Sequence, residues 1–107
     1  MSYDINLAID AYSHSMGNRE EALAEFCAEH SIADQMAGIQ ATIDELQGDL
    51  FDQIWALTRD NGPMTGDEIE ALAERHCSER APAVNSDGIA ALMRWAVWMA
   101  WHEGCLR

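Results

Sequence analysis

The sequence predicts an all-α fold: a single small bundle of four to five helices formed by residues 1–107. Apolar residues recur at three- and four-residue spacing along most of the chain, the signature of one-sided helices. Clusters of Gly, Pro and Asn cut it into segments of helix length. No stretch alternates apolar with polar residues for long enough to make a strand; only residues 105–107 could pair as a short terminal one. With 107 residues, 49% of them hydrophobic, the chain suits one domain with a modest core.

The elements follow in order. Asp4 is placed to cap a first helix that carries Ile5, Ala8, Ile9 and Tyr12 on one face and ends near Ser15, before Gly17 and Asn18. A second helix starts near Asn18, with Ala22, Leu23, Phe26 and Cys27 as its apolar stripe, and ends around His30 and Ser31. Ser31 would cap the next helix, with Asp34 in its first turn. From Ile32 to about Arg59 the positions Met36, Ile39, Ile43, Leu46, Leu50, Ile54 and Leu57 keep helical spacing, and Gly48 marks a kink or a break into two helices. Asn61-Gly62-Pro63 ends that segment. Thr65 and Glu68 form a capping box, opening a helix with Ile69, Leu72, Ala73 and His76 on one face that stops before Pro82. Asn85 or Ser86 caps a last helix that runs to about Glu103 and is closed by Gly104.

That last helix is apolar around nearly its whole circumference, from Ile89 through Leu92, Met93, Val97 and Met99, with Trp95, Trp98 and Trp101 among them. Such a helix is either the central one of the bundle or shows part of itself to a partner. At three-residue spacing the tryptophans lie on neighbouring faces, where they serve as core or as an interface for a partner or for a second copy of the chain.

Charge narrows the classes of partner. Nineteen acidic residues stand against six basic ones, giving a net charge of −13, and every basic residue is an arginine. Phosphate backbones and anionic lipid heads repel such a chain, so direct nucleic-acid and membrane binding are not expected. A basic protein surface is the complementary partner; solubility alone is the other use of the acidity. Glu21, Glu25 and Glu29 repeat every four residues and form one carboxylate stripe. Asp44, Asp49 and Asp52 on the third helical segment and Glu70 and Glu74 on the fourth add further clusters. Stripes of this spacing are either solvated helix faces or imitations of phosphate spacing. The N-terminus lacks a basic, apolar leader pattern, residues 89–101 are too few to span a bilayer, and three cysteines form no disulfide framework; a cytoplasmic location is expected.

From about Leu50 onward the chain resembles a winged-helix or helix-turn-helix domain. A helix with Leu50, Ile54 and Leu57 leads into Gly62-Pro63-Met64-Thr65, then Glu68-Ile69 and Leu72-Ala73, and a later helix ends in Gly104-Cys105-Leu106-Arg107. The resemblance implies a recognition helix at the last helix. The sequence departs from the family there: the connection from Cys77 to Ser86 is long, and Arg94 is the last helix's only basic residue. Reading base edges needs Arg, Lys, Asn or Gln facing a groove, so DNA reading is not implied.

Catalytic and metal signatures are sparse. Cys27-x-x-His30 and His102-x-x-Cys105 have ligand-like local spacing for zinc, but Cys27 also belongs to an apolar stripe. A thiolate nucleophile would need positive surroundings, which an acid-rich chain does not offer. No phosphate loop, nucleophile elbow or HExxH motif occurs, so no cofactor and no enzymatic activity are expected. In physical type the chain resembles small acidic phage anti-CRISPR and DNA-mimic proteins. That resemblance implies an inhibitor of a nucleic-acid-handling protein complex that occupies a basic surface, with Glu21, Glu25, Glu29, Asp44, Asp49, Asp52, Glu70, Glu74, Trp95 and Trp98 as contact residues. Arg59, Arg75 and Arg94 are then structural or local ion-pair residues. The alternatives are a helix-turn-helix-derived dimeric regulator that binds a protein through the Trp-rich helix, and a small zinc-binding protein.

Overall fold

Residues 3–14 and 18–106 are described by the computed structural model of the chain. Among them five α-helices follow one another: α1 (Ile5–His14), α2 (Arg19–Glu29), α3 (Met36–Asn61), α4 (Gly66–Arg80) and α5 (Ser86–His102), with one 3₁₀ turn (Ala33–Gln35) before α3. The all-α bundle expected from periodicity is what forms. The expected end of the first helix at Ser15 to Gly17 lies outside the described residues.

Local chemistry sets most helix ends. Asp4 Oδ1 accepts from the Asn6 amide at 2.9 Å. Thr65 and Glu68 make the reciprocal capping box, with Glu68 N donating to Thr65 Oγ1 at 3.2 Å and Thr65 N donating to Glu68 Oε1 at 3.0 Å. Asn85, rather than Ser86, caps α5 by accepting from the Asp87 and Gly88 amides. At the other end of α5, Gly104 takes a positive φ of 78°, and the Cys105 amide reaches back to Ala100 O at 2.7 Å. Met64 N then donates to Cys105 O at 2.7 Å, and Met64 bridges Leu106 in parallel. The short pairing expected at residues 105–107 is therefore a single bridge that fastens the chain's end to the α3–α4 connection.

One expectation is corrected, and one alternative left open by the sequence is decided. Ser31 does not start a helix. It sits at a φ of 57° beyond α2, with Ser31 N bonded to Ala28 O and Ile32 N to Cys27 O. That is the Schellman arrangement, and burial of the next side chain, Ile32, draws the backbone into it. Gly48 does not break α3, which runs unbroken for 26 residues, about 39 Å at 1.5 Å per residue. Its neighbours Leu46, Gln47 and Leu50 are buried, so tertiary packing holds the helix where glycine's propensity would loosen it.

α5 is the central helix: it packs against α1, α3 and α4, while α2 covers α1 and α3. Its Ala91, Leu92, Trp95, Ala96 and Ala100 enter the core. Small residues there let the neighbouring helices approach closely. Gly88 is the tightest point, because a Cβ on it would lie against Asn6 Oδ1 and 2.7 Å from Val84 Cγ1. Asn6 uses that proximity to tie α1 to the α4–α5 connection, accepting from Asn85 N at 2.7 Å and donating to Ala83 O at 3.3 Å.

A polar knot lies between α1, α2 and α3. Gln47 is buried and donates to Ser13 Oγ at 3.0 Å, and its carbonyl accepts from the Arg19 guanidinium. Arg19 also lies 4.1 Å from the centre of the Tyr12 ring, and Tyr12 donates to Asp44 Oδ1 at 2.8 Å. Burial, and then the hydrogen bond to Asp44, push the Tyr12 phenol above its ordinary value.

Candidate functional site

Half-buried and exposed residues of α5 line a concave surface. Ile89, Met93, Val97 and Trp101 recur every four residues and so form one ridge. Ala90, Arg94 and Trp98 run beside it. A groove of about 900 Å³ lies along this face, lined also by Glu70 and Glu74 of α4 and by Val84 and Leu106. Trp101 is 67% exposed and Trp98 40% exposed, unusual for residues whose large apolar surface normally finds cover. One side of α5 is core and the other lines an open groove.

Electrostatics divide the groove. Glu70 and Glu74 stand one turn apart on α4, both exposed. On the other side Arg94 lies 2.5 Å from Asp10 of α1, which spends its charge locally. Asp4 and Asp87 lie in the same small hollow as that pair. The apolar floor thus carries two carboxylates, Glu70 and Glu74, with its one cation already matched by Asp10.

The contact residues expected from sequence separate into groups. Glu70, Glu74 and Trp98 share the groove. Trp95 does not join them: it is 6% exposed and meets Phe51 edge-on at 6.3 Å between ring centres, because its position on α5 points toward α3. Glu21, Glu25 and Glu29 are exposed on α2 and form a stripe of their own, and Asp52 is exposed on α3. Asp44 and Asp49 are partly spent inside the molecule, on Arg19 at 3.8 Å and Arg80 at 3.2 Å. Arg59 pairs with Asp60 at 3.9 Å and Arg94 with Asp10, so these two arginines act locally as expected. Sequence reasoning took Trp101 only as one of three interface tryptophans and did not single out Ile89, Met93 and Val97. Their four-residue ridge was the available signal.

The suggested zinc set does not assemble. Cys27 and Cys105 are buried, while His30 and His102 are exposed. His30 packs against Phe26 at 4.4 Å and His102 stacks on Trp98 at 5.3 Å between ring centres. Among the described residues no three His, Cys, Asp or Glu side chains gather as a metal site requires. Burial pushes the Cys27 and Cys77 thiols above their ordinary value, the direction opposite to that of an activated nucleophile. His76 is buried, with Nε2 3.1 Å from Leu46 O and Nδ1 2.9 Å from Gln53 Nε2. Those two contacts occupy both ring nitrogens in joining α3 to α4. No helix among the described residues is long and apolar enough to cross a membrane. Comparison of the chain with family models, curated proteins and solved structures finds no match in any of the three.

Proposed function

We propose that this protein is an acidic binding module that acts on another protein, in the manner of an inhibitor that occupies a basic surface of a nucleic-acid-handling complex. One observation carries the reading: Glu70, Glu74, Trp98 and Trp101 line a single open groove. Exposed aromatic anchors supply affinity at protein interfaces, and flanking charge supplies specificity and speed of encounter. A net charge of −13 extends the same preference over the whole molecule and sets it against phosphate and anionic lipid. The stripe of Glu21, Glu25 and Glu29 gives a second acidic face for a large basic partner.

Retention of lysate proteins on the immobilised full chain tests this, with Glu70→Gln/Glu74→Gln and Glu21→Gln/Glu25→Gln/Glu29→Gln variants run beside it. Expected is a basic nucleic-acid-processing species held at low salt, released at high salt, and lost when carboxylates are neutralised. Retention that ignores both salt and neutralisation would overturn the acidic-module reading. A dimer through α5 is the second reading, favoured by the continuous apolar face that Trp98 and Trp101 present. Sizing chromatography separates the two, since a dimer through this face would bury the groove.

A further inference from the structure

We infer that the groove on α5 is built to receive an amphipathic, basic helix from another protein, laid along the ridge of Ile89, Met93, Val97 and Trp101. This rests on the protein-binding reading above and names the shape and chemistry of the occupant.

Backbone chemistry selects a helix. The floor of the groove is made of side chains from a helix whose own amides and carbonyls are already bonded within it, and those side chains are almost all apolar. An extended segment lying there would bury its peptide groups with nothing to bond to. A helix satisfies its backbone internally and can enter such a floor without that cost. Geometry agrees: the ridge repeats every four residues over about 18 Å, the length of roughly three turns. Ridges of this kind accept the facing ridge of another helix.

Charge selects the sign. The groove's carboxylates, Glu70 and Glu74, stand beside the floor, and its one arginine is already held by Asp10. Lysine or arginine at the edge of the occupant's apolar stripe would meet Glu70 and Glu74. A second copy of this chain fits poorly by the same measure: it carries its own −13 and presents the same apolar floor between the same carboxylates. Trp98 and Trp101 are the expected anchors, because large, half-exposed aromatics beside a concave floor gain most from being covered.

The probe is a synthetic Leu/Lys peptide of about 18 residues, roughly five turns, with leucine on one helical face. Beside it run a scrambled peptide of the same composition and a Leu/Glu counterpart. Binding to the full chain is followed by calorimetry, peptide helicity by circular dichroism, and the oligomeric state by sedimentation. Expected are binding and helix formation with the patterned basic peptide only. Trp98→Ala and Trp101→Ala should each weaken it about tenfold. Glu70→Gln/Glu74→Gln should weaken it several-fold and flatten its salt dependence. All these side chains are exposed, and unchanged helicity of the free variants checks that they fold.

Equal binding of the scrambled peptide would overturn the inference while leaving an acidic binding surface in place. A stable dimer that buries the groove and excludes the peptide would overturn it in favour of a second copy. If retention from lysate depends on Glu70 and Glu74 but the patterned peptide does not bind, the helical occupant is wrong and the module reading stands. If neither occurs, both fall.

Discussion

Two glycines inside helices should respond to the same substitution with opposite signs. Gly48 sits mid-way along α3, exposed, and a Cβ built on it meets nothing within 4 Å. Alanine there restores helix propensity and restricts the unfolded chain, which should stabilise the protein by about 1 kcal/mol. Gly88 has the same intrinsic gain available, but its Cβ would displace Asn6 and crowd Val84. Driving Asn6 away breaks its bonds to Asn85 N and Ala83 O, about 2 kcal/mol for the pair. Repacking Val84 adds about 1 kcal/mol. Set against the propensity gain of about 1 kcal/mol, Gly88→Ala should destabilise by about 2 kcal/mol. The two variants should therefore differ by about 3 kcal/mol, or roughly 12 °C in Tm for a domain of this size. Urea titration monitored by circular dichroism measures both, with Asn6→Ala/Gly88→Ala as the coupling control, which should cost less than the sum of the single changes. A neutral or destabilising Gly48→Ala would refute the continuity of α3 at that point. Equal effects of the two substitutions would refute the close approach of α1 to α5.

Two further outcomes follow from the backbone and from buried titrating groups. Ser31→Gly should stabilise by about 0.5–1 kcal/mol, because a left-handed residue with a Cβ costs about 1–2 kcal/mol and glycine's extra freedom in the unfolded chain returns part of the gain. Ser31→Val should destabilise; urea midpoints read both. Stability should fall at high pH: the folded-state pKa values of Cys27, Cys77 and Tyr12 are raised, so their contribution is complete below the ordinary values of 9.0 and 10.0 and is lost as pH rises through the folded ones. Urea midpoints between pH 8 and 11 measure the loss, and Tyr12→Phe should flatten its upper part; a midpoint that holds steady over this range would contradict the burial of these groups.

Legibility in the sequence tracked how local the deciding physics was. Thr65 with Glu68 and the Asn85 cap were readable because each is settled by residues within one turn. Ser31 was misread, and Gly48 left one helix or two undecided, for the same reason in reverse. Glycine and serine were judged on propensity, whereas burial of Leu46, Gln47 and Leu50 holds one and burial of Ile32 sets the other. The buried knot of Gln47, Ser13 and Arg19 left no sequence signal, since each of these side chains ordinarily faces water. At the candidate site, the apolar circumference of α5 was visible. Which tryptophan turns outward was not, because Trp95 and Trp98 differ by three residues and only the packing of α3 chooses between them. That Glu70 and Glu74 flank the tryptophans depends on how α4 leans on α5, a contact with no trace in spacing.

The groove is a consequence of how the bundle is closed. α1, α3 and α4 cover one side of α5, and Met64 and Leu106 lock the α5 C-terminus to the α3–α4 connection. Along the ridge Ile89, Met93 and Val97 are only partly buried, and Trp101 is exposed. Leaving it open forgoes the stabilisation that burying a side chain such as Trp101 gives, about 1.5–3 kcal/mol for a large apolar group. Glu70 and Glu74 stand as exposed carboxylates beside that face. Under the proposed reading, Glu70 and Glu74 would favour a basic occupant and disfavour a second copy of the chain.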